Sequence, residues 1–189
     1  MTWDKSQVDR GTKCFSPANN GYPGGYPVGY LDWVRSKGWW GDKRCHVPCG
    51  QVDDLDSVRI DVKEEGTNAT HVFDARDETN WEVLGDMRFN LIMIDPPYTK
   101  ELAKNLYDTE EYYSGINTFT KAAVNYLEDG GYMITLTYQV PSRPEGCNLV
   151  AHWGLYQALN VSHMRCFTVW QKEGERKPQG LGRWTDENA

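Results

Sequence analysis

The sequence predicts an α/β fold with a mostly parallel sheet and reduced crossovers in its N-terminal half. Leu91-Ile92-Met93-Ile94 is an unbroken apolar run of strand length, the pattern of a strand buried on both faces, as in a parallel sheet. From that run onward, strand-like and helix-like stretches alternate, which indicates helices packed on a sheet. The earlier strand candidates are separated only by residues 49–56 and 63–70. A parallel crossover normally takes a dozen residues or more, so these links read as loops rather than helices.

In chain order, residues 14–43 are rich in Gly, Pro, Asn and aromatics, and Asn19-Asn20-Gly21-Tyr22-Pro23-Gly24-Gly25-Tyr26-Pro27 is a loop of turn residues. Residues 28–36 read as a short helix with Leu31 and Val34 on one face. Strands are expected over 44–48, 57–62, 71–73 and 90–95. Residues 118–127 read as a helix because Phe119, Ala122, Ala123 and Tyr126 follow the i, i+3, i+4, i+7 spacing; Asp129-Gly130-Gly131 would stop it. A strand over 132–138 follows. Residues 149–159 read as a second helix, with Leu149, Val150, Trp153 and Tyr156 on one side. A last strand covers 164–171, where Cys166, Thr168 and Trp170 alternate against Phe167 and Val169. The expected organisation is a single domain: an N-terminal loop and helix over 1–43, the main unit over 44–172, and a loose polar tail over 173–189.

Composition narrows the function classes. Nothing near 18 consecutive apolar residues occurs, so no membrane-spanning helix is expected. Met1-Thr2-Trp3-Asp4-Lys5 lacks the hydrophobic stretch of a signal peptide, and a cytoplasmic location is expected. The five cysteines are irregularly spaced, which argues against a disulfide framework. Cys45, His46 and Cys49 are close enough to suggest a metal, but no second pair follows at ligand spacing. Two buried structural cysteines are the reading favoured, with no metal. The formal charge is −7. It is concentrated in residues 44–131, with eight basic and eighteen acidic side chains, whereas residues 1–43 carry six and four and residues 132–189 carry six and five. A nucleic acid, whose phosphates dominate binding, would be held by the ends of the chain while the acidic middle faces away.

The apolar run leads directly into Asp95-Pro96-Pro97-Tyr98. The prolines end the strand, since neither donates to a sheet ladder. They also stiffen the backbone beyond its C-terminal end, where open α/β sheets bind ligands. An acid, an exposed carbonyl and a ring on a stiff loop suit a planar group bearing an exocyclic NH2. The acid and carbonyl accept its two hydrogens and the ring stacks on its face.

Asp95-Pro96-Pro97-Tyr98 behind an apolar strand resembles the catalytic motif of S-adenosylmethionine-dependent amino-methyltransferases, above all those that methylate N6 of adenine in DNA. The resemblance covers residues 44–172. It implies a Rossmann-like class I methyltransferase sheet, S-adenosylmethionine as cofactor, and Asp95, Pro96, Pro97 and Tyr98 as the catalytic residues. The cofactor would be held at strand exits: by Pro48, Cys49 and Gly50, by Asp61 on the ribose diol, by Asp74 and Ala75 at the adenine, and beside Asp95. Tyr22 and Gly24 are similar to an upstream cofactor-contacting segment. A departure is the single Gly50, where the family usually has at least two glycines. Lys100, Lys104, Tyr112, Tyr113 and Arg143 mix cations and rings suited to nucleic acid, with DNA the expected partner. They lie in segments 99–115 and 139–148, both short for a recognition element. A short or relaxed target sequence, a homodimer or a partner subunit is therefore expected. RNA adenine N6 or guanine N2, and a catalytically inactive binding protein of the same fold, are the alternatives.

Overall fold

The computed structural model describes residues 7–17, 25–107, 115–157 and 164–175. Eight strands form one sheet: β1 (Asp9–Phe15), β2 (Arg44–Val47), β3 (Val58–Asp61), β4 (His71–Val72), β5 (Phe89–Ile94), β6 (Leu127–Thr137), β7 (Cys147–Gln157) and β8 (Arg165–Lys172). Their order is β1-β7-β8-β6-β5-β2-β3-β4. Every neighbouring pair is parallel except those of β8, which runs antiparallel to both β6 and β7. Three α-helices are described: α1 (Tyr30–Ser36), α2 (Lys100–Tyr107) and α3 (Ile116–Ala123). As expected, no helix links β2 to β3 or β3 to β4, and a single 3-10 stretch, Glu78–Leu84, precedes β5. From β2 the chain builds outward through β3 and β4, then returns to place β5 and β6 on the other side. The switch point therefore lies between β2 and β5, where open sheets of this kind hold their ligands.

The sheet has two unlike faces. On one, Cys45, Val47, Ile60, Ile92, Ile94 and Met133 pack with Trp81 and with Phe119, Ala122 and Ala123 of α3. On the other, Leu91, Met93, Ile134, Leu136, Phe167 and Val169 pack with Tyr30 and Val34 of α1 and with Trp39. All six residues of β5 are buried, as the uninterrupted apolar run requires. Ile92→Ala is expected to cost about 2–5 kcal/mol, measured as a lowered urea midpoint.

The α1 face of β2 and β3 is built differently. Arg44 and His46 alternate with Cys45 and Val47, and Arg59 and Asp61 alternate with Val58 and Ile60, so this face carries charge where the other carries hydrocarbon. The loop between the two strands covers it with Asp54. The Asp54 carboxylate accepts from Arg44 Nε and Nη2 at 2.7 Å each and pairs with His46 Nε2 at 3.0 Å. The Asp54 carbonyl accepts from Arg59 Nη1 at 2.9 Å. Burial lowers the His46 pKa. The neutral ring then donates from Nε2 to Asp54 and accepts at Nδ1 from the Tyr26 hydroxyl, 3.3 Å away. Burial alone would raise the Asp54 carboxyl, but the hydrogen bonds from Arg44 and His46 hold it well below the usual carboxylate range. Asp54→Asn leaves the Arg44 guanidinium buried without its counter-charge and is expected to cost about 3–5 kcal/mol at pH 7. Because the folded carboxyl titrates below the unfolded value of about 3.9, the Asp54 contribution is present above that pH and lost below it. The stability gap between wild type and variant should shrink as denaturation is repeated below about pH 4.

Several elements differ from the sequence reading, among them helix α2, which it did not expect. Residues 149–159 were expected as a helix, but the chain over Cys147–Gln157 is strand β7. A register shift between Leu149 and Ala151 leaves Leu149 against the α3 face while Ala151 joins the α1 face. That bulge turns a two-residue alternation into spacing that imitates a helix. The helix expected over 118–127 ends at Ala123 and passes through a 3-10 turn, Val124–Tyr126, into β6. Asp129-Gly130-Gly131 lies within β6 rather than stopping a helix. Gly130 has φ 69°, and a Cβ on Gly131 would stand 2.9 Å from the Glu128 carbonyl oxygen. Strand β1 had no sequence signal, because only Phe15 of its seven residues is buried. It is held through its backbone pairing with β7.

Candidate active site

Strand β5 delivers Asp95-Pro96-Pro97-Tyr98 to the C-terminal edge of the sheet, beside the exit of β2. The Asp95 amide donates to the Val47 carbonyl at 3.2 Å, tying the motif across the switch point. Asp95 Oδ1 accepts a 2.6 Å hydrogen bond from the Tyr98 hydroxyl. That hydroxyl in turn accepts from Arg165 Nη1 at 3.0 Å. Arg165 is the first residue of β8 and only 7% exposed. Because β8 is antiparallel, its first residue falls at the C-terminal ends of the parallel strands, which is how a side chain 67 positions away reaches the motif. The Tyr98 ring lies against Tyr138, just past β6, with centroids 4.5 Å apart and planes 35° apart. A cavity of about 230 Å³ opens beside them, lined by Pro96, Pro97, Tyr98, Ile116, Thr137 and Tyr138 among others.

The electrostatics of this cluster are set by burial. It pushes the Asp95 carboxyl up to about 6, against the lowering influence of the Arg165 charge and the Tyr98 hydrogen bond. Burial and the neighbouring Asp95 both raise the Tyr98 phenol, which stays protonated and can only donate to the carboxylate. Tyr26 and Tyr30 face Asp95 from the α1 side and are raised chiefly by burial.

The residues expected to hold a cofactor divide into two groups. Cys49 and Gly50 form a turn at the β2 exit, with Gly50 at φ 49° and the Cys49 amide donating to the Ile60 carbonyl at 2.8 Å; Pro48 begins it. Asp61, 7% exposed at the end of β3, braces that turn. Its Oδ2 accepts from the Gly50 amide at 2.9 Å, and its Oδ1 accepts from the Val62 and Lys63 amides at 2.8 and 3.4 Å. Asp74 and Ala75 sit elsewhere. The Asp74 carboxylate is gripped by the Arg76 guanidinium, which holds it below the usual range. It lines a separate cavity with Thr118 and Lys121. Ala75 is fully buried and its carbonyl accepts from Trp81 Nε1 at 3.0 Å.

Of the residues expected to meet nucleic acid, Lys100 and Lys104 are exposed, on α2. Arg143 Nε donates to the Cys147 carbonyl at 2.6 Å and its Nη2 pairs with Glu173 at 3.4 Å. Tyr22, Gly24, Tyr112 and Tyr113 lie outside the described residues. Cys45 faces α3 while its neighbour His46 faces the opposite side, so the two do not converge. Among the described residues no group of three or more His, Cys, Asp or Glu is placed to hold a metal. The sequence reading missed Arg165, Tyr138 and the His46–Tyr26 contact. The alternation of the last strand places Arg165 on the same face as Phe167 and Val169, which was the available signal.

The strand order β4-β3-β2-β5-β6-β8-β7, with β8 reversed, is that of the Rossmann-like class I methyltransferase fold, extended here by β1. No family model and no curated protein matches the sequence. Solved structures with a similar course include TrmN from Thermus thermophilus, 16% identical, with 75% of this chain and 47% of that one aligned at a TM-score of 0.49. NSun6 from Pyrococcus horikoshii is 15% identical over 79% of this chain and 53% of its own, at 0.49. An S-adenosylmethionine-dependent methyltransferase from Clostridium acetobutylicum is 10% identical over 76% and 89%, at 0.47. The chain spans about half the length of the first two.

Asp95 carries a stability signature opposite in sign to that of Asp54. Its folded carboxyl titrates near 6, above the unfolded value of about 3.9, so ionising it costs stability. That cost sets in between about pH 4 and 6 and is complete above 6. Asp95→Asn is therefore expected to unfold at a higher urea concentration than wild type at pH 8, with the difference vanishing below about pH 4.

Proposed function

We propose that this protein transfers a methyl group from S-adenosylmethionine to the exocyclic N6 amine of adenine in DNA. The observation that carries this reading is the half-buried Asp95 carboxylate at the β5 exit, fixed on two prolines beside an aromatic-lined cavity at the switch point of the sheet. S-adenosylmethionine supplies an electrophilic methyl on a sulfonium sulfur. The braced turn at Cys49 and Gly50 and the Asp61 carboxylate at the end of β3 would suit its amino-acid end and ribose diol.

The N6 lone pair of adenine is delocalised into the ring and is a poor nucleophile. Hydrogen bonds from the NH2 to the Asp95 carboxylate and the Pro96 carbonyl localise that pair on nitrogen. The nitrogen–carbon bond forms as the carbon–sulfur bond breaks, the electron pair leaves with sulfur, and the surplus proton passes to Asp95 and then to solvent. Holding the reactants at attack distance supplies about 7–11 kcal/mol of the barrier. A base flipped from a duplex costs a few kcal/mol, and stacking on a ring returns about 1–3 kcal/mol. Tyr98 supplies such a ring once it leaves Tyr138. At the cavity wall, Tyr138 at 38% exposure gives an extruded base further apolar surface beside the acidic motif.

Labelled methyl transfer to duplex DNA, single-stranded DNA and total RNA, followed by nucleoside digestion, tests the reading directly. Label in N6-methyladenine from DNA supports it. Label confined to RNA moves the substrate, and no label anywhere sinks the enzymatic reading. Asp95→Ala should lower transfer by at least about 10²-fold, the scale set by misplaced reactants, while cofactor affinity stays within a few fold. Asp61→Ala should instead weaken cofactor binding in isothermal titration; unchanged affinity removes Asp61 from that site. Because the amine needs an ionised acceptor, the rate should rise with pH through about 6.

A further inference from the structure

The hydroxyl of Tyr98 occupies the Asp95 oxygen, at 2.6 Å, that the target amine requires. It is held there from its other side by Arg165 at 3.0 Å. Arg165 comes from a strand that contributes nothing else to the motif, yet it is buried with its charge directed at both groups. A buried guanidinium is expensive to maintain unless its hydrogen bonds and counter-charge are in place, so its position has a cause beyond packing. We propose that Arg165 is the positioning residue of this site: it keeps Asp95 ionised and holds the Tyr98 hydroxyl on it until a target amine takes the hydroxyl's place. This rests on the methyl-transfer reading above and names how its acceptor is kept ready.

The groups that face Asp95 make Arg165 the one positive charge acting on it among the described residues. Tyr98 comes from its own loop, Tyr30 from α1 and Tyr26 from the segment before α1, with Cys49 of the β2 exit behind Tyr26; each of these is uncharged when protonated. Burial has already pushed the Asp95 carboxyl up to about 6 with Arg165 present. An opposite charge within about 4–6 Å moves a carboxylate by about 1–3 pH units. Without it Asp95 would be largely protonated at neutral pH and would offer a donor where the amine needs an acceptor.

The experiment is a carboxyl-carbon NMR titration of Asp95 in the intact chain, in wild type, Arg165→Met, Arg165→Lys and Tyr98→Phe. Arg165→Met should move the Asp95 midpoint up by about 1–3 pH units, Arg165→Lys should keep it near the wild-type value, and Tyr98→Phe should raise it by less than Arg165→Met. An Asp95 midpoint shared by wild type and Arg165→Met overturns the proposal. If Arg165→Met does not fold, Tyr98→Phe decides, and an unmoved midpoint there overturns it as well. Methyl-transfer rates across pH give the second readout. The acid limb in Arg165→Met should move with the NMR midpoint, whereas a purely structural role would scale the whole profile without displacing it. A shifted midpoint in a protein whose wild type transfers no methyl group leaves the role of Arg165 standing and removes the proposed reaction. An active wild type with an unmoved midpoint does the reverse.

Discussion

The sheet depends on one carboxylate that does the work of a missing helix. Where a parallel crossover would ordinarily lay an apolar helix over β2 and β3, this chain has a short loop, and Asp54 within it binds the guanidinium and the imidazole that those strands present. Paired charges out of water are costly unless their geometry is good and their remaining hydrogen bonds are met. Here the two nitrogens of Arg44 reach both Asp54 carboxylate oxygens, His46 adds a third contact to one of them, and Arg59 binds the Asp54 backbone carbonyl. The gain is compactness, since two crossovers are completed without the residues two helices would need. The consequence reaches the candidate site, because β2 is the strand whose exit carries the turn at Gly50 and anchors the Asp95 backbone.

The candidate site is assembled from parts that are distant in the chain and adjacent only through the strand order. Asp95 and Tyr98 come from the exit of β5, Tyr138 from the end of β6, and Arg165 from the start of β8. The reversed strand supplies the cation. Were β8 parallel to its neighbours, Arg165 would lie at the opposite edge of the sheet and Lys172, which now caps the Val124 and Leu127 carbonyls, would lie near the motif instead. Antiparallel insertion thus fixes which end of an amphipathic strand meets the acid.

Much of this was legible in the sequence, and the failures have physical causes. The β5 run was plain because a strand buried on both faces has no polar alternation to confuse it, and the two prolines marked its end. The loop crossovers followed from counting residues. Strand β7 was read as a helix because a single bulge displaced its alternation. Strand β1 was invisible because an edge strand can be held by backbone pairing alone, leaving Arg10, Thr12 and Cys14 on the surface. Within the site, Asp95 and Tyr98 announced themselves through a contiguous motif. Arg165 did not, since long-range pairing, absent from any local pattern, decides what it touches. Asp74 was placed by analogy of position, and its pairing with the adjacent Arg76 had no signal beyond the spacing of the two residues.

The pairing of β1 with β7 also governs how the chain assembles as it is made. Asp9 pairs with Ala151 and Phe15 with Gln157, so an early-synthesised strand waits for almost the last one before it has a partner. Contacts this distant in sequence are slow to form, because their loop entropy is spent before they return anything. Until then β7 presents an open edge, and other chains can occupy an open edge. The charged face of β1 makes it a poor template for that exchange while it waits. Once paired, β1 covers the β7 edge and presents in its place a strand carrying Asp9, Arg10 and Lys13, which a second chain extends less readily.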